Sequence, residues 1–401
     1  MEKNTIVNDR YKILGQLGKG GFGQVYKVHD LVKKINLAMK VDINSRGSTL
    51  VESSILQDIQ GGEGIPKLYD SGKIQDLTYM VIELLGPHLN MMRKSLNGFS
   101  LNTILLLFSQ CLTRIEYLHT HDYIHRDIKP QQFLIGPKDV IYLVDYGISK
   151  KYIIDGRHMS FQSQCSRAGS CSYASINCHI GIRLSRRDDL ESLMYMIVFL
   201  IRGALPWQTK AKANDNRKWQ VIFAQKRAIL DEELFNGCPK QLQQIFVYVK
   251  SLKFDEKPNY AYIRDMIQTI RNEFSLKSKM LDWKILERRH KSLDKRKTEE
   301  ENTKILSKGK TTKKKCSKKN NRGLAMATLT SLPAHEDSHE VPHLRLPLPI
   351  GTSKTLLSGL DLSSNSSKGE TVKNSFPEFI HRKHIFRELN KFRMLFTFSE
   401  R

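Results

Sequence analysis

The chain has 401 residues, with 65 Lys and Arg against 41 Asp and Glu and a formal net charge of +24. That length accommodates two lobes and a tail. Its six cysteines show no C-x-x-C spacing, which argues against a zinc site or disulfide framework and for reduced thiols in a soluble intracellular protein. The start carries no apolar signal region. Leu193–Ile201 is strongly apolar but shorter than the ~20 residues a bilayer span takes, so it reads as a buried helix.

In chain order, the first informative stretch is Leu17-Gly18-Lys19-Gly20-Gly21-Phe22-Gly23-Gln24-Val25, a glycine-rich loop between two expected strands. Glycines there let backbone N–H groups approach phosphates that a Cβ would hold away. A dinucleotide-binding loop of the same spacing would run on into a helix, whereas Gln24–Val28 continues with strand alternation. Leu37-Ala38-Met39-Lys40-Val41 reads as the next strand, and Thr49–Ile59 as a helix carrying Glu52, with Leu50, Val51, Ile55, Leu56 and Ile59 at helical spacing. A hinge at Glu83–Gly86 leads to an expected helix, Leu101–His119. Then come His125-Arg126-Asp127-Ile128-Lys129-Pro130 and, after the strand-like Val140–Val144, Asp145-Tyr146-Gly147.

Taken in this order, the segments resemble the catalytic and metal-binding loops of protein kinases. The resemblance implies an α+β, bilobal fold with a small β-rich N-lobe (9–85) and a mainly helical C-lobe (86–288). A narrower resemblance rests on Leu84-Leu85-Gly86-Pro87, Ser175-Ile176-Asn177, Ser185-Arg186-Arg187-Asp188-Asp189-Leu190-Glu191-Ser192-Leu193, Leu205-Pro206-Trp207-Gln208 and Lys257-Pro258-Asn259-Tyr260-Ala261-Tyr262. Together these are similar to the casein kinase I family of serine/threonine kinases, over roughly Asp9 to Leu286.

The resemblance implies ATP, magnesium (with manganese as an alternative) and protein substrates. It places Leu17, Gly18, Lys19, Gly20, Gly21, Phe22, Gly23, Val25, Ala38, Lys40, Glu52, Glu83 and Leu85 around ATP, with Ile82 as gatekeeper. Lys40, paired with Glu52, would orient the phosphates. Asp127 would take or orient the substrate hydroxyl proton, and Lys129 would offset charge on the transferred group. Asp145 would hold a metal, because a hard cation prefers carboxylate oxygen. His125 and Tyr146 read as packing residues, the Tyr146 hydroxyl needing a partner if buried.

Two departures stand out. Gln132 occupies the position of an asparagine that holds the second metal, and its amide lies one methylene (~1.5 Å) further from the backbone. Magnesium requires near-octahedral geometry at ~2.0–2.1 Å, so an alternative is a pseudokinase scaffold or regulator weakened at that metal. The family's substrate-anion arginine is replaced by Ser172, and a hydroxyl does not reproduce a bidentate guanidinium. Lys218 matches another basic position of the same anion site. A weaker preference for phosphate-primed substrates follows as the expectation, with some preference for acidic ones retained.

Beyond Trp283 the composition changes. Lys284–Arg322 holds 16 basic and 5 acidic residues, a net of +11. A solvated linker, nuclear import and an anionic surface all fit such a run; nucleic acid fits poorly, since no aromatics interleave the lysines. Residues 289–374 read as a basic, polar, disordered linker. Residues 375–401 can form a basic amphipathic helix with Ile385, Phe386, Leu389, Phe392 and Phe396 on one face. It would dock back on the kinase, or else bind an anionic membrane or a calmodulin-like partner. The expected location is cytoplasmic, with the nucleus as alternative.

Overall fold

The computed structural model describes residues 1–20, 23–42, 47–208, 215–288, 291, 292 and 299. Gly21 and Phe22, nearly all of the 289–374 linker and the whole 375–401 helix lie outside the described residues.

Strand periodicity builds the N-lobe. A six-stranded antiparallel sheet comprises β1 (Ile6–Val7), β2 (Tyr11–Gly20), β3 (Gly23–Asp30), β4 (Ile35–Asp42), β5 (Leu68–Ile74) and β6 (Leu77–Glu83), in the order β1-β2-β3-β4-β6-β5. Alternate residues point to opposite faces. Tyr26, Val28, Leu37, Met39, Val41, Tyr79 and Val81 thus share one face and form, with Val7, Tyr11 and Ile13, a buried apolar cluster. The pairs Val25↔Lys40, Lys27↔Ala38 and Ala38↔Ile82 put the complementary set on the other face. β1, at two residues, is too short to show an alternation in sequence.

The helix expected at Thr49–Ile59 is α1 (Ser48–Asp58), but its buried face differs from the expected one. Ile55, Leu56 and Ile59 are buried, whereas Leu50 and Val51 are 43 % and 46 % exposed. The inward face carries Thr49, Glu52 and Ser53 instead. Burial of the Glu52 carboxylate for an ion pair takes the place of an apolar stripe.

The C-lobe contains α2 (Leu89–Ser95), α3 (Leu101–Thr120), α4 (Ile176–His179), α5 (Arg186–Arg202), α6 (Asp215–Ala228), α7 (Asp231–Leu234), α8 (Lys240–Ser251) and α9 (Tyr260–Glu273). Ser100 starts α3, its hydroxyl accepting from the Thr103 N–H at 3.2 Å, a cap that satisfies an otherwise orphan donor. Leu105, Phe108, Cys111, Leu112, Ile115 and Leu118 of α3 are fully buried, each apolar side chain contributing about 1.5–3 kcal/mol. α5 is buried on all sides from Asp188 to Leu200, as expected of the apolar run at Leu193–Ile201. Gly203, at φ 87°, ends it. Between α3 and α4, β7 (Tyr123–Ile124) pairs with β10 (Lys150–Lys151), and β8 (Phe133–Ile135) with β9 (Ile141–Leu143). These two short ribbons hold the loops 125–132 and 144–149 side by side. Among the described residues, those from Lys279 onward belong to a separate unit. Among the described residues no helix is long and apolar enough to cross a membrane, and Cys111, Cys165, Cys171, Cys178 and Cys238 are free thiols.

Candidate active site

Strand alternation puts Lys40 on the face opposite the N-lobe cluster, and Glu52 reaches it from α1. Lys40 Nζ lies 2.6 Å from Glu52 Oε2 and 2.7 Å from Asp145 Oδ1, so strand, helix and loop meet at one ammonium group. Burial opposes the charge on Lys40, but the two carboxylates outweigh it and raise its pKa. Burial likewise opposes the Asp145 carboxylate, and the Lys40 charge with hydrogen bonds from Lys40 and Gln132 holds its pKa below the ordinary value. The other oxygen of Glu52 accepts from the Tyr146 N–H at 3.1 Å, tying α1 to the 144–149 loop.

The 125–132 loop is held by a residue that the sequence placed only in a family signature. Asp189 of α5 accepts from the His125 N–H at 2.7 Å with one oxygen and from the Arg126 N–H at 2.9 Å with the other. It also accepts from His119 Nε2 at 3.0 Å, while His119 Nδ1 meets the Tyr260 hydroxyl at 2.6 Å. Arg126 has φ 72°, a left-handed conformation unfavourable for a long side chain, and the Asp189 carboxylate fixes that turn. His125 is fully buried and links the two loops: Nε2 donates to Val144 O at 3.0 Å, and Nδ1 accepts from the Asp127 N–H at 3.2 Å. Tyr146 is fully buried too, and its hydroxyl donates to Leu143 O at 2.8 Å.

Asp127 is 5 % exposed. Its Oδ2 accepts from Lys129 Nζ at 2.5 Å and from Gln132 Nε2 at 3.1 Å, whereas the buried Oδ1 has no partner among the described residues. A buried carboxylate oxygen with no donor is costly unless a ligand supplies one. Lys129 Nζ also donates to Ser170 Oγ at 3.0 Å. Ser170 follows Gly169, where φ is +74° and a Cβ would lie 2.4 Å from Arg126 O. Only glycine lets the chain at 168–170 pass this close to the 125–132 loop.

Gln132 lies across both loops. Its Nε2 donates to Asp127 Oδ2 at 3.1 Å and to Asp145 Oδ2 at 2.9 Å, and Val144 N donates to its backbone carbonyl at 3.0 Å. The extra methylene thus lets one amide reach both carboxylates. Amide nitrogen and oxygen exchange places by a half-turn about the terminal bond. Turned over, Gln132 would aim a third oxygen at the space between Asp127 and Asp145, an arrangement only a cation makes favourable. The donor set therefore fits a hard divalent cation, with Asp145 and the Gln132 oxygen as ligands.

Where the sequence places adenine, Ala38 is buried beside Ile82, with half-buried Val25 on the same face. Glu83 N donates to Lys67 O at 3.0 Å, and the Leu85 N–H has no partner among the described residues. Leu17, Gly18, Lys19 and Gly20 end β2, and Gly20 pairs with Gly23. At Gly23 a Cβ would lie 2.1 Å from Val41 O, so packing requires glycine there; at Gly18 and Gly20 it would meet nothing within 4 Å.

The signature Ser175-Ile176-Asn177 binds the start of α5. Ser175 Oγ and Asn177 Nδ2 donate to Asp188 Oδ1 at 2.7 and 3.0 Å, and Ile176 N donates to Glu191 Oε1 at 2.9 Å. Lys226 of α6 is buried and donates to Cys171 O at 3.2 Å and to Ala174 O. Ser172 presents its carbonyl to Trp207 Nε1 at 2.8 Å. Lys218 is half-buried on α6 and joins no ion pair among the described residues.

A family model, the protein kinase domain, matches residues 11–271. The chain belongs to the protein kinase family. The bilobal fold, phosphotransferase chemistry, ATP, a divalent metal and protein substrates follow from that membership. In this kinase, sequence reading named the charged groups themselves but missed Asp189, Ser170 and Gly169, which position them. Only Gly169 left a local signal, as the single glycine of the serine-rich stretch 161–173.

Proposed function

We propose that this protein is a serine/threonine kinase of the casein kinase I type, transferring the γ-phosphoryl group of ATP to Ser or Thr in acidic contexts. The observation that carries it is the closed Lys40–Glu52–Asp145 cluster, at 2.6 and 2.7 Å, beside an Asp127 Oδ1 that faces no donor. Lys40 orients the α- and β-phosphates. The substrate hydroxyl oxygen attacks the γ-phosphorus, its proton passes to Asp127 Oδ1, and ADP leaves. Lys129 Nζ offsets charge on the transferred group. Magnesium or manganese, held by Asp145 and the turned Gln132 amide, would neutralise phosphate charge. Packing does not call for glycine at Gly18 and Gly20, which supports phosphates as the reason for it. Leu17, Lys19, Gly23, Val25, Ala38, Glu83 and Leu85 complete the nucleotide site.

The casein kinase I assignment is supported by the mutual hydrogen bonding of its two signatures, Ser175-Ile176-Asn177 and Asp188–Glu191. Lys218 is assigned to substrate anions. The domain is proposed to run from 9 to 288, in a cytoplasmic protein.

One observation favours the second reading, a regulator with a weakened metal site: Gln132 Nε2 already occupies an oxygen of both carboxylates. Radiolabelled transfer from ATP to casein and to an acidic serine peptide, with magnesium and then manganese, separates the two. Transfer by the parent that is lost in Asp145→Asn supports the kinase. A silent parent rescued by Gln132→Asn supports the regulator.

A further inference from the structure

The substrate-side cavity has a charge balance that the family signatures do not explain. Asp127 and Lys129 line a cavity of about 450 Å³ together with Arg126, Arg167, Ser149 and Ser170. Asp127 is the one carboxylate of that lining, against three cations. Lys129 is engaged with Asp127 at 2.5 Å, and Arg126 is half-buried, burial lowering its pKa. Arg167 is different. It is exposed, its Nε donates only weakly to His179 O at 3.4 Å, and its guanidinium lies 5.7 Å from the centre of the Trp219 ring. It pairs with no carboxylate among the described residues.

The residues packed around Arg167 are aromatic. His179 stacks on Phe223 at 5.6 Å between ring centres and meets Trp219 edge-on at 4.8 Å, so α4 and α6 together form the platform. Gly169 pins the segment two residues on, against the Arg126 carbonyl. A guanidinium near an aromatic ring, on a residue that lines the cavity beside Asp127, suits a planar or tetrahedral anion. An extended peptide advances about 3.3–3.6 Å per residue, so a hydroxyl held at Asp127 places its neighbouring residue within the same cavity.

We infer that Arg167 selects an acidic or phosphorylated side chain immediately beside the phosphoacceptor, and so takes over a task that Ser172 cannot perform. This rests on the kinase reading above. The shared chemistry is an oxyanion, carboxylate or phosphate.

The test is a serine peptide in a neutral background with one Glu, or one phosphoserine, scanned from three residues before the acceptor to three after it. kcat and KM are measured for the parent, Arg167→Leu, Arg167→Lys and Lys218→Leu. The same peptides with alanine at the acceptor give Kd by fluorescence anisotropy without any turnover. We expect the parent to favour an anion at a flanking position by about tenfold, the effect of a charge-assisted hydrogen bond. Arg167→Leu removes that ratio through KM and Kd with little change in kcat, and Arg167→Lys restores part of it. Glu and phosphoserine gains then identify the preferred oxyanion. A flanking preference that survives Arg167→Leu, or that vanishes only in Lys218→Leu, overturns the inference. So does a parent with no flanking preference in Kd. Absence of turnover on every peptide would count against the kinase reading, while the Kd series still decides the role of Arg167.

Discussion

Gln132 differs from asparagine by one methylene, and that length lets its amide bridge Asp127 and Asp145. Shortening it by ~1.5 Å withdraws the amide from at least one carboxylate. Gln132→Asn is therefore expected to free Asp145 Oδ2 and lower the half-saturating magnesium concentration by about tenfold or more, read from metal-titrated phosphoryl transfer. An unchanged metal dependence would mean that the Gln132 oxygen already serves as a ligand. Gly169 is the second decisive residue. Gly169→Ala forces a Cβ against Arg126 O at 2.4 Å in a left-handed backbone, which costs about 1–3 kcal/mol. The expected result is a fall in kcat of about tenfold with a modest loss of melting temperature; wild-type kcat would show that the segment can stand off the catalytic loop.

At the scale of elements, α5 anchors the 125–132 loop through Asp189. Asp189 is fully buried and accepts three hydrogen bonds. Burial opposes its charge, but the His119 hydrogen bond and charge, with the His125 amide, hold its pKa low. Removal of the carboxylate in Asp189→Ala orphans two backbone N–H groups, so urea unfolding should show a loss of about 3–5 kcal/mol, and Asp189→Asn a smaller one. His179 couples α4 to α6 in a different way. Burial lowers its pKa to about 4 from an ordinary 6.5, with Lys226 adding to the effect. Between those values the unfolded chain binds the proton that the folded chain excludes. Its contribution is thus complete above pH 6.5 and is lost as the pH falls toward 4, by up to about 3 kcal/mol. Unfolding curves of the parent and His179→Asn at pH 7 and 4.5 should converge at the lower pH if this holds.

For the whole molecule, nucleotide binding joins the two lobes through Lys40, Glu52 and Asp145. A ligand at a hundredfold excess over its Kd stabilises the folded state by about 2.7 kcal/mol. ATP with magnesium should accordingly raise the melting temperature by several degrees, and Lys40→Ala should abolish the shift. That measurement does not depend on turnover, so it applies equally to an active kinase and to a silent one. An unshifted parent would place the fault in nucleotide binding rather than in the metal.

The candidate catalytic groups and their order along the chain were legible from residue type and spacing. The run Leu37–Val41 put Lys40 on a strand, the glycine-rich stretch ran on as a strand, and the apolar run of α5 identified a buried helix. These are local periodicities, written in neighbouring residues. Tertiary structure alone decided the rest. Leu50 and Val51 of α1 fit a helical period yet face outward, because the inward face was needed for Glu52. Asp189 acts on His125 from 64 residues away, and Gln132 on Asp145 from 13. The Arg167 platform draws on α4 and α6, which no spacing rule connects. Hydrogen bonds across such separations depend on where the chain returns in space, and a one-dimensional pattern does not encode that return.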